Sequence, residues 1–449
     1  MKKSLTAILA AMLLLNGCAS VPSDDSVIAE AVYPEMAPYP REEDYIDQTT
    51  YEFDYEAYEA DFTKWRETSS PGAGTEAIVS EMAPFVQKIA AQLLSDNGGE
   101  NRAYSPLNLY FALGMLAELT DGNSRAQVLD LMGTDDTEGL RNDIAALWES
   151  NYSDDGRVTS ILANSLWLNE NYSFKQPTLE ILAKNYRASS YSGTMGSEDF
   201  NEVFRNWMNE QTGGLLEDSV KELGFTTETV LALASTIYFA AGWEEEFPAS
   251  QTAERVFHAQ NEDITCDFLN ESMAKSYYYG ENFGAVSKRL DGSGSMWLIL
   301  PDEGISPEEL LTDEEVSALY LDGATNRKYV TVNLSVPKFD VSSDIDLIDQ
   351  LTTLGVTDVF DPVTADFSPM AENAEGLAVT EAKHAARVMI DEEGCLAAVY
   401  TLMMVEETGF MPPEEEIDLV FDRPFLFVIT AEDGSVLFMG IVNDPAGNS

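Results

Sequence analysis

Histidine and cysteine are scarce in this chain of 449 residues, which contains the histidines His258 and His384 and the cysteines Cys18, Cys266 and Cys395. The sequence has no HExxH string, no CxxC pair and no P-loop string, so the common zinc, redox and nucleotide chemistries are disfavoured. A Ser-His-Asp hydrolase would have to use one of the two imidazoles. Carboxylates alone could still form a metal site, but no ordered ligand spacing stands out. Nothing in the spacing of Cys266 and Cys395 argues for a disulfide, so we expect both thiols to be free.

Basic residues are also few, with 25 Lys and Arg against 79 Asp and Glu, which gives a formal net charge of −54. A surface this acidic repels the phosphate backbone of nucleic acids, and it would also repel an anionic bilayer. It attracts basic proteins and accelerates their encounter. We therefore expect no nucleic-acid partner. The charge either keeps an exported protein soluble or attracts a basic partner protein.

The chain begins with an apolar run that is too short to span a bilayer. Two lysines precede the run Leu5–Leu15, which has the length of the hydrophobic region of a signal peptide. The string LNGC at 15–18 resembles a bacterial lipobox, in which cleavage leaves Cys18 as a lipid-bearing N-terminus. We expect residues 1–17 to be a lipoprotein signal peptide and the lipid on Cys18 to be the membrane attachment at the bacterial cell envelope or surface. The alternative is ordinary secretion, with Cys18 incidental.

Residues 18–75 are rich in Pro, Ala, Tyr and acidic residues, and helical periodicity is weak until about Glu76. About fifty flexible residues would have an r.m.s. span of roughly 40 Å. We expect an acidic tether that holds a folded domain, residues 76–449, clear of the envelope. The alternative is that the tyrosine-rich stretch 51–63 docks on that domain.

Helices are predicted early in the domain and strands late, which indicates an α+β fold with a large sheet. Residues 76–95 show apolar positions at helical spacing. Ser105 and Pro106 then begin a helix that is apolar on most faces and must be buried. The strand-like runs are 158–169, 228–240, 295–301, 329–339, and three more between 417 and the C-terminus.

A segment near the C-terminus joins two halves with opposite properties. Residues 395–405, CLAAVYTLMMV, carry no charge, and their β-branched, aromatic and small side chains favour an extended strand. Residues 406–418, EETGFMPPEEEID, contain a glycine, two prolines and six acidic residues, which indicates a solvated loop. In an arbitrary protein, the simplest interpretation is a central strand followed by a loop.

Six motifs, in order over about 370 residues, resemble the serpin family in sequence and spacing. Each motif alone is a weak indication, but six in the right order are specific. They are Asn101-x3-Ser105-Pro106, Trp207-Met208-x3-Thr212-x-Gly214, TIYFAAGWEEEF (236–247) followed by Thr252 and Phe257, LTTLGVTDVFDPVTADFS (351–368), Phe421-Asp422-Arg423-Pro424-Phe425, and Leu437-Phe438-Met439-Gly440-x2-Asn443-x-Pro445.

The resemblance implies an α+β fold with three β-sheets, eight to nine helices and an exposed reactive-centre loop at about residues 394–420. After cleavage such a loop enters the main sheet as a new strand, and alternate side chains then face the interior because the strand period is two. The implied hinge comprises Glu392, Gly394, Cys395, Ala397 and Ala398. The interior set is Cys395, Ala397, Val399 and Thr401; the outer set is Leu396, Ala398, Tyr400 and Leu402.

The resemblance also implies a function, which is inhibition of a serine protease by a suicide-substrate mechanism. The protease forms an acyl-enzyme with the loop, and the loop inserts before the ester is hydrolysed. About fourteen inserted residues would carry the protease some 45 Å. Deacylation then fails because it depends on accurate catalytic geometry. The inhibitor itself is not an enzyme, requires no cofactor or metal, and is expected to be a monomer.

Five further residues match family positions that control the conformational change. In relatives a lysine pairs with the hinge glutamate, a tryptophan marks the point where insertion begins, and a histidine lies in the shutter region beside two small polar residues. The matching residues here are Lys338, Trp243, His384, Ser105 and Asn108.

The family's usual count places the scissile bond between Thr408 and Gly409, sixteen residues after the hinge glutamate. The loop is about five residues longer than usual, so other positions remain open: Met404, Val405, Phe410 and Met411. Thr408, Val405 and Met404 suit elastase-like or subtilisin-like proteases, including basic ones. The absence of Lys and Arg between Gly394 and Arg423 disfavours trypsin-like targets, whereas Glu406 and Glu407 leave room for a glutamate-specific protease. No basic helix suggests a polyanion cofactor.

Two other functions stay open. The first is a serpin fold without inhibition, as a binding or structural protein, because Leu396, Val399 and Tyr400 depart from the alanine-rich hinge of inhibitory relatives. The second is a surface enzyme or solute-binding lipoprotein of another fold. Cleavage of the loop without formation of a complex would favour the first.

Overall fold

The computed structural model describes residues 26–47, 49–69, 74–95, 98–221, 223–321, 326–395 and 413–446. The helices of this part are α1 (Tyr55–Thr68), α2 (Glu76–Leu94), α3 (Pro106–Leu119), α4 (Gly122–Met132), α5 (Thr137–Asn151), α6 (Gln176–Asn185), α7 (Glu198–Gln211), α8 (Glu217–Val220), α9 (Pro307–Leu310), α10 (Glu314–Leu321) and α11 (Leu347–Thr353). The strands are β1 (Val27–Ala29), β2 (Arg102–Tyr104), β3 (Ser153–Asp154), β4 (Val158–Asn169), β5 (Ala188–Gly193), β6 (Leu231–Gly242), β7 (Ala253–His258), β8 (Asp263–Tyr279), β9 (Phe283–Arg289), β10 (Ser295–Pro301), β11 (Arg327–Pro337), β12 (Asp340–Asp346), β13 (Lys383–Met389), β14 (Gly394–Cys395), β15 (Glu416–Val420), β16 (Phe425–Thr430) and β17 (Val436–Val442).

Helix α3 is the buried helix that the sequence predicted after Ser105. The hydroxyl of Ser105 accepts a hydrogen bond from the N–H of Asn108, and Pro106 fills a first-turn position whose N–H would have no helical partner. Every residue of α3 except Ala112 is buried. Because the helix is apolar on all sides, it lies inside the main core, below the strands that form the candidate site.

The described strands form three sheets, and the predicted α+β class is confirmed. A six-stranded sheet has the order β1-β5-β4-β6-β14, with β3 beside β4. A nine-stranded sheet has the order β15-β11-β8-β9-β10-β16-β17-β2, with β7 beside β8. The antiparallel pair β12–β13 forms the third sheet.

The six-stranded sheet and the β12–β13 pair are joined at one end and open along most of their length. At the joined end, the two-residue strand β14 pairs with β6 and is bridged to Ile390, which directly follows β13. Below β14, a cavity of about 260 Å³ separates β6 from residues 380–385. The strands on both sides of the cavity therefore have free edges in the described part of the chain.

The N-terminal segment corrects an expectation from the sequence. We expected a flexible tether at 18–75, but from residue 26 onwards its described residues contact the domain. Strand β1 extends the six-stranded sheet at β5, and the indole N–H of Trp65 in α1 donates to Asp155 at 2.8 Å. The docking side chains are single aromatic and aliphatic residues without helical periodicity, so the sequence pattern did not reveal them.

The described part has eleven α-helical segments where eight to nine were expected. Helix α1 lies in the segment expected to be tether, and α8 and α9 are single turns of four residues each. No helix in the described ranges is long and apolar enough to cross a membrane.

Candidate functional site

The site begins where the chain leaves β13 and turns back into the sheet. Gly394 lies opposite Gly242 of β6, and Cys395 lies opposite Ala241, in antiparallel register. On its other side, Cys395 forms a bridge with Ile390. Both Cys395 and Ala241 are buried, and the burial of Cys395 raises the pKa of its thiol to about 12. Two residues of a new strand are therefore already seated between β6 and the end of β13.

The turn that reverses the chain is held by Asp391. Its Oδ1 atom accepts hydrogen bonds from the N–H groups of Glu393 at 2.9 Å and of Gly394 at 3.0 Å. Its own N–H donates to the carbonyl oxygen of Gly394 at 3.0 Å. Sequence reasoning did not select Asp391, although an aspartate three residues before a glycine is a recognisable turn signal.

Glu392 is fixed on three sides at the hinge. Its Oε2 atom lies 2.7 Å from the ammonium group of Lys338, and its Oε1 atom accepts a hydrogen bond from the hydroxyl of Thr252 at 2.7 Å. Its carbonyl oxygen accepts from the N–H of Phe247 at 3.0 Å. Partial burial opposes the charge of Glu392, but the hydrogen bonds from Lys338 and Thr252 outweigh it and lower the pKa of the carboxyl.

Trp243 directly follows β6 and binds the backbone of this turn. Its N–H donates to the carbonyl oxygen of Glu393 at 2.9 Å, and its indole N–H donates to the carbonyl oxygen of Asp391 at 2.9 Å. The ring is 2% exposed and meets Phe247 edge to face, with 6.0 Å between ring centroids. The backbone and the side chain of this one residue thus each bind a backbone oxygen of the hinge.

A buried ion pair, which the sequence did not reveal, lies beneath Trp243. The ammonium group of Lys288 is 2.8 Å from Glu271 and 4.1 Å from the ring centroid of Phe247. Both charged side chains are buried, and Lys275 also pairs with Glu271. Burial lowers the pKa of Lys288; burial alone would raise the pKa of Glu271, but the two lysines lower it. Isolated charges in strands β8 and β9 carry no local signal that predicts this pairing.

The cavity below β14 has the shape of a missing strand. Residues 229–237 line one side and residues 380–385 line the other, while α3 and α7 contribute apolar side chains to its floor and roof. The contributing apolar residues of these two helices are Leu109, Ala112, Leu113, Leu116, Leu119, Phe204 and Met208. An apolar strand would find both apolar contacts and free backbone partners here.

His384 lies in β13 beside this cavity, next to the start of α3. Its Nε2 atom accepts a hydrogen bond from the backbone N–H of Ser105 at 2.9 Å. The ring is buried, and burial lowers the pKa of His384 to about 4. On the other side of the same helix turn, the hydroxyl of Ser235 in β6 contacts the carbonyl oxygen of Asn108 at 3.5 Å. The start of α3 thus contacts both edges of the gap.

The structure brings the selected residues together in two groups. Trp243, Lys338, Glu392, Gly394 and Cys395 meet at the hinge, and His384, Ser105 and Asn108 meet at the start of α3. The hinge residues Ala397 and Ala398, the candidate scissile residues Met404, Val405, Thr408, Gly409, Phe410 and Met411, and the lipidation site Cys18 lie outside the described residues. Asp391 and Lys288 are residues that sequence reasoning missed, and Thr252 was named only as part of a motif, without its contact to Glu392.

Two further observations limit the chemistry. Among the described residues, no group of three or more His, Cys, Asp or Glu side chains is arranged to hold a metal ion. The described cysteines Cys266 and Cys395 are both free thiols, as the spacing predicted.

Comparison with known proteins gives a consistent result. A model of the family described as Serpin (serine protease inhibitor) matches residues 80–445. The curated protein Serpin-ZX of Arabidopsis thaliana is 28% identical over 360 residues, which cover 77% of this chain and 92% of the relative. The native-state crystal structure of the thermophilic serpin tengpin aligns with a TM-score of 0.72 and 26% identity, covering 82% of this chain and 94% of tengpin. Human thyroxine-binding globulin, in complex with its hormone, aligns with a TM-score of 0.69 and 20% identity over 83% of this chain and 100% of that one, a likeness in fold.

Proposed function

Because this chain belongs to the serpin family, we propose that it inhibits a serine protease as a suicide substrate, by cleavage and insertion of the loop that follows β14. The serpin fold expected from the sequence motifs is confirmed by the family match and by the solved structures. The observation that carries the proposal is the seated strand β14, which joins β6 to the end of β13 at the head of an apolar gap between the two strands.

The register of β14 defines how the rest of the loop would insert. Each further residue along the loop moves its partner one residue back along β6. Ala397 then lies opposite Phe239, Thr401 opposite Ser235, and Val405 opposite Leu231, at the start of β6. Odd-numbered residues of β6 face the main core, so the side chains of 395, 397, 399 and 401 would be buried, which is the interior set expected from the sequence.

The length of β6 also bears on the scissile bond. The ten residues that follow Cys395 would pair with β6 back to its first residue, Leu231. At about 3.3 Å per residue, this insertion displaces the attached protease by about 33 Å. Cleavage between Thr408 and Gly409 leaves three unpaired residues after Val405. All ten residues can therefore pair with β6 before the acyl bond to the protease is strained. Cleavage at Val405 still allows all ten residues to pair with β6, cleavage at Met404 allows nine, and cleavage at Phe410 or Met411 leaves more residues unpaired. Met404, Val405 and Thr408 suit elastase-like or subtilisin-like targets, and a basic target would be favoured by the charge of −54.

Export and lipidation at Cys18 belong to the same proposal. The signal-like run and the LNGC string support a lipid anchor that keeps the inhibitor at a bacterial cell envelope. Labelling of cells with a radioactive fatty acid would test it. Label in the wild-type protein and its loss in Cys18→Ala support the anchor, and an unlabelled wild-type protein contradicts it.

The inhibition is tested by incubating the full chain in mild detergent with a neutrophil-type elastase, subtilisin and trypsin. A complex with elastase or subtilisin that survives a denaturing gel is expected, and the mass of the released C-terminal peptide identifies the bond. Ala397→Arg and Ala398→Arg form a matched pair, because position 397 would face Phe239 in the core and 398 would face the partly exposed Tyr238. We expect Ala397→Arg to be cleaved without complex and Ala398→Arg to keep the complex.

A second candidate is a non-inhibitory serpin-fold protein that binds a ligand. One observation favours it: in the register of β14, Leu396 would lie opposite Ala240 and Tyr400 opposite Thr236, and both partners are already buried. Bulky side chains at these positions slow insertion. Human thyroxine-binding globulin shows that this fold also occurs in a hormone complex. Cleavage by every protease without any stable complex would favour this candidate over inhibition.

A further inference from the structure

We propose that the buried lysine Lys288 is a positioning residue for the hinge of the reactive loop. Its ammonium group fixes the two aromatic residues that hold the hinge in the sheet, although Lys288 itself does not touch the loop through a hydrogen bond or an ion pair among the described contacts. The inference rests on the proposed function, because the seated hinge is the point from which insertion would start.

The hinge is held by the segment that follows β6. The carbonyl oxygens of residues 391–393 accept three hydrogen bonds of 2.9–3.0 Å, from the N–H and the indole N–H of Trp243 and from the N–H of Phe247. Residues 243–252, called the clasp below, also include Thr252, whose hydroxyl binds the hinge carboxyl. Strand β14 adds two residue pairs with β6. The clasp therefore supplies much of the binding of a very short strand.

The ammonium group of Lys288 connects the two halves of the clasp. It lies over the ring of Phe247, 4.1 Å from the centroid, and over the ring of Trp243, 5.6 Å from the centroid. Both rings are 2% exposed, and they meet edge to face. A cation is attracted to the face of an aromatic ring, so this contact depends on how the ring is oriented. One ammonium group thus orients both residues that bind the hinge backbone.

The position of the ammonium group is itself fixed by the strands below the clasp. In the described part of the chain, β8 and β9 pair only at residues 278–279 and 284–285. Further along, the 2.8 Å ion pair of Lys288 with Glu271 joins the two strands, and Lys275 binds the same carboxylate. The side chains of Lys288 and Glu271 are 4% and 7% exposed. Lys288 is therefore a fixed support for the rings, and water does not compete for its charge.

The charge of Lys288 provides something that apolar packing does not. A buried ion pair often stabilises a fold no better than apolar side chains of similar volume, because both charges lose their hydration. Apolar contacts are not directional, whereas a cation over a ring face favours one orientation of the ring. We therefore assign the ion pair the role of orienting the clasp rather than that of stabilising the core.

Loss of the charge should weaken the hold on the hinge. A methionine at position 288 would fill most of the space but would leave the two rings free to tilt. The indole N–H of Trp243 would then turn away from the carbonyl oxygen of Asp391. With the clasp weakened, β14 keeps its two residue pairs with β6 and leaves the sheet more often. Lys288 thus keeps the first residues of the inserting strand in register before the loop is cut.

The experiment measures hydrogen–deuterium exchange in the uncleaved full chain, by mass spectrometry of overlapping peptides. The reporters are the backbone N–H groups of Trp243 and Phe247, each of which is bonded to a hinge carbonyl oxygen, so their exchange measures departure of the hinge. The variants are Lys288→Met, Phe247→Leu and the combination of both. Phe247→Leu removes the ring but keeps both charges of the ion pair, so it leaves no buried carboxylate without its cations.

Arg141→Met is the matched control. Arg141 in α5 forms a 2.7 Å ion pair with Glu118 in α3, and the side chain of Glu118 is 6% exposed. This variant also removes a cation from a buried carboxylate, but it does so among helices that do not bind the hinge. It therefore reports what a general loss of stability does to exchange in the clasp.

We expect Lys288→Met and Phe247→Leu each to accelerate exchange of the two reporter groups about tenfold, given the strength of a desolvated contact between a cation and a ring. The combined variant should stay well below a hundredfold, because both changes remove the same contact. Arg141→Met should match the wild type. Wild-type exchange in Phe247→Leu would overturn the proposal, as would a hundredfold effect in the combination or equal acceleration by Arg141→Met.

Cleavage of the loop by subtilisin separates the hinge from the proposed function. Insertion extends β14 into a long strand, so residues 231–240 of β6 should exchange more slowly after cleavage. In that inserted state the hinge no longer depends on the clasp, and Lys288→Met should regain wild-type exchange at Trp243 and Phe247. Persistently fast exchange there would indicate general loosening and overturn the positioning role. Unchanged exchange of residues 231–240 would refute insertion, while the uncleaved proteins still decide whether Lys288 holds the hinge.

Discussion

Replacement of His384 by glutamine should change how the stability of the protein depends on pH. In the native state, the Nε2 atom of His384 accepts a hydrogen bond from the N–H of Ser105, inside the core at the edge of the gap. Protonation would turn this acceptor into a donor that faces another donor. The native state therefore favours the neutral ring, and acidification favours the unfolded state.

The magnitude follows from the shift of the pKa of His384 from 6.5 to about 4. Above pH 6.5, both the native and the unfolded states hold a neutral ring, and the stability does not change through this group. Between pH 6.5 and 4, the unfolded state binds a proton that the native state refuses, so the stability falls with pH. At 1.36 kcal/mol per pKa unit, the loss reaches about 3 kcal/mol at pH 4, a large part of the 5–15 kcal/mol typical of a domain.

The assay is urea unfolding, followed by tryptophan fluorescence, at several values between pH 7.5 and pH 4. Carboxylates contribute to the slope in every variant, so the difference between wild type and His384→Gln isolates the histidine. The other histidine supplies a control: His258 is exposed and pairs with Asp263, whose hydrogen bond raises the pKa of His258, so its contribution has the opposite sign. Equal slopes in the wild type and in His384→Gln would refute the reasoning.

Three further substitutions test other parts of the structure. Glu392→Gln removes the ion pair with Lys338, and we expect the free energy of unfolding to fall by about 1 kcal/mol at pH 7, measured by thermal unfolding. The pair lowers the pKa of Glu392 in the native state, so the difference between variant and wild type should vanish as the pH falls below that pKa. Lys288→Met leaves the buried carboxylate of Glu271 with one cation fewer and should lower the free energy of unfolding by about 3 kcal/mol or more in urea, whereas an unchanged value would contradict the buried pairing. Gly440→Ala would place a Cβ atom 2.5 Å from a backbone oxygen of β2, so we expect about 1–3 kcal/mol of destabilisation in calorimetry, and a neutral effect would show that β2 is less tightly packed.

The parts of the fold that the sequence predicted well are those with a continuous local signal. The strand-like runs 158–169 and 295–301 became β4 and β10 with the predicted bounds, since β-branched, aromatic and other large apolar side chains recur along both runs. The buried helix after Ser105 was predicted for the same reason. Docking of the N-terminal segment was foreseen only as an alternative, for residues 51–63, whereas the contacts with the domain are made by Tyr33, Tyr39 and Trp65, whose partners are distant in the sequence.

The candidate site shows the same division between local and distant signals. The positions of Lys338, Trp243 and His384 followed from the resemblance to the family, and the structure places Lys338 beside Glu392 as that resemblance implied. Residue patterns alone would not have joined them, since Lys338 and Glu392 are 54 residues apart in the sequence. Lys338 lies in the connection between β11 and β12, and Glu392 lies in the turn between β13 and β14. The contacts of Thr252 with Glu392 and of Lys288 with Glu271 were missed because a single threonine or lysine carries no sign of its partner.

Because Cys395 is enclosed between Ala241 and Ile390, its reaction with a thiol reagent reports the opening of the hinge. A thiol whose pKa burial raises to about 12 is almost entirely protonated at neutral pH, and a protonated, enclosed thiol does not react with an alkylating reagent. Alkylation then measures how often β14 leaves the sheet, in the same way that amide exchange measures local opening. The rate of modification at residue 395 reads out the hinge equilibrium in unlabelled, wild-type protein.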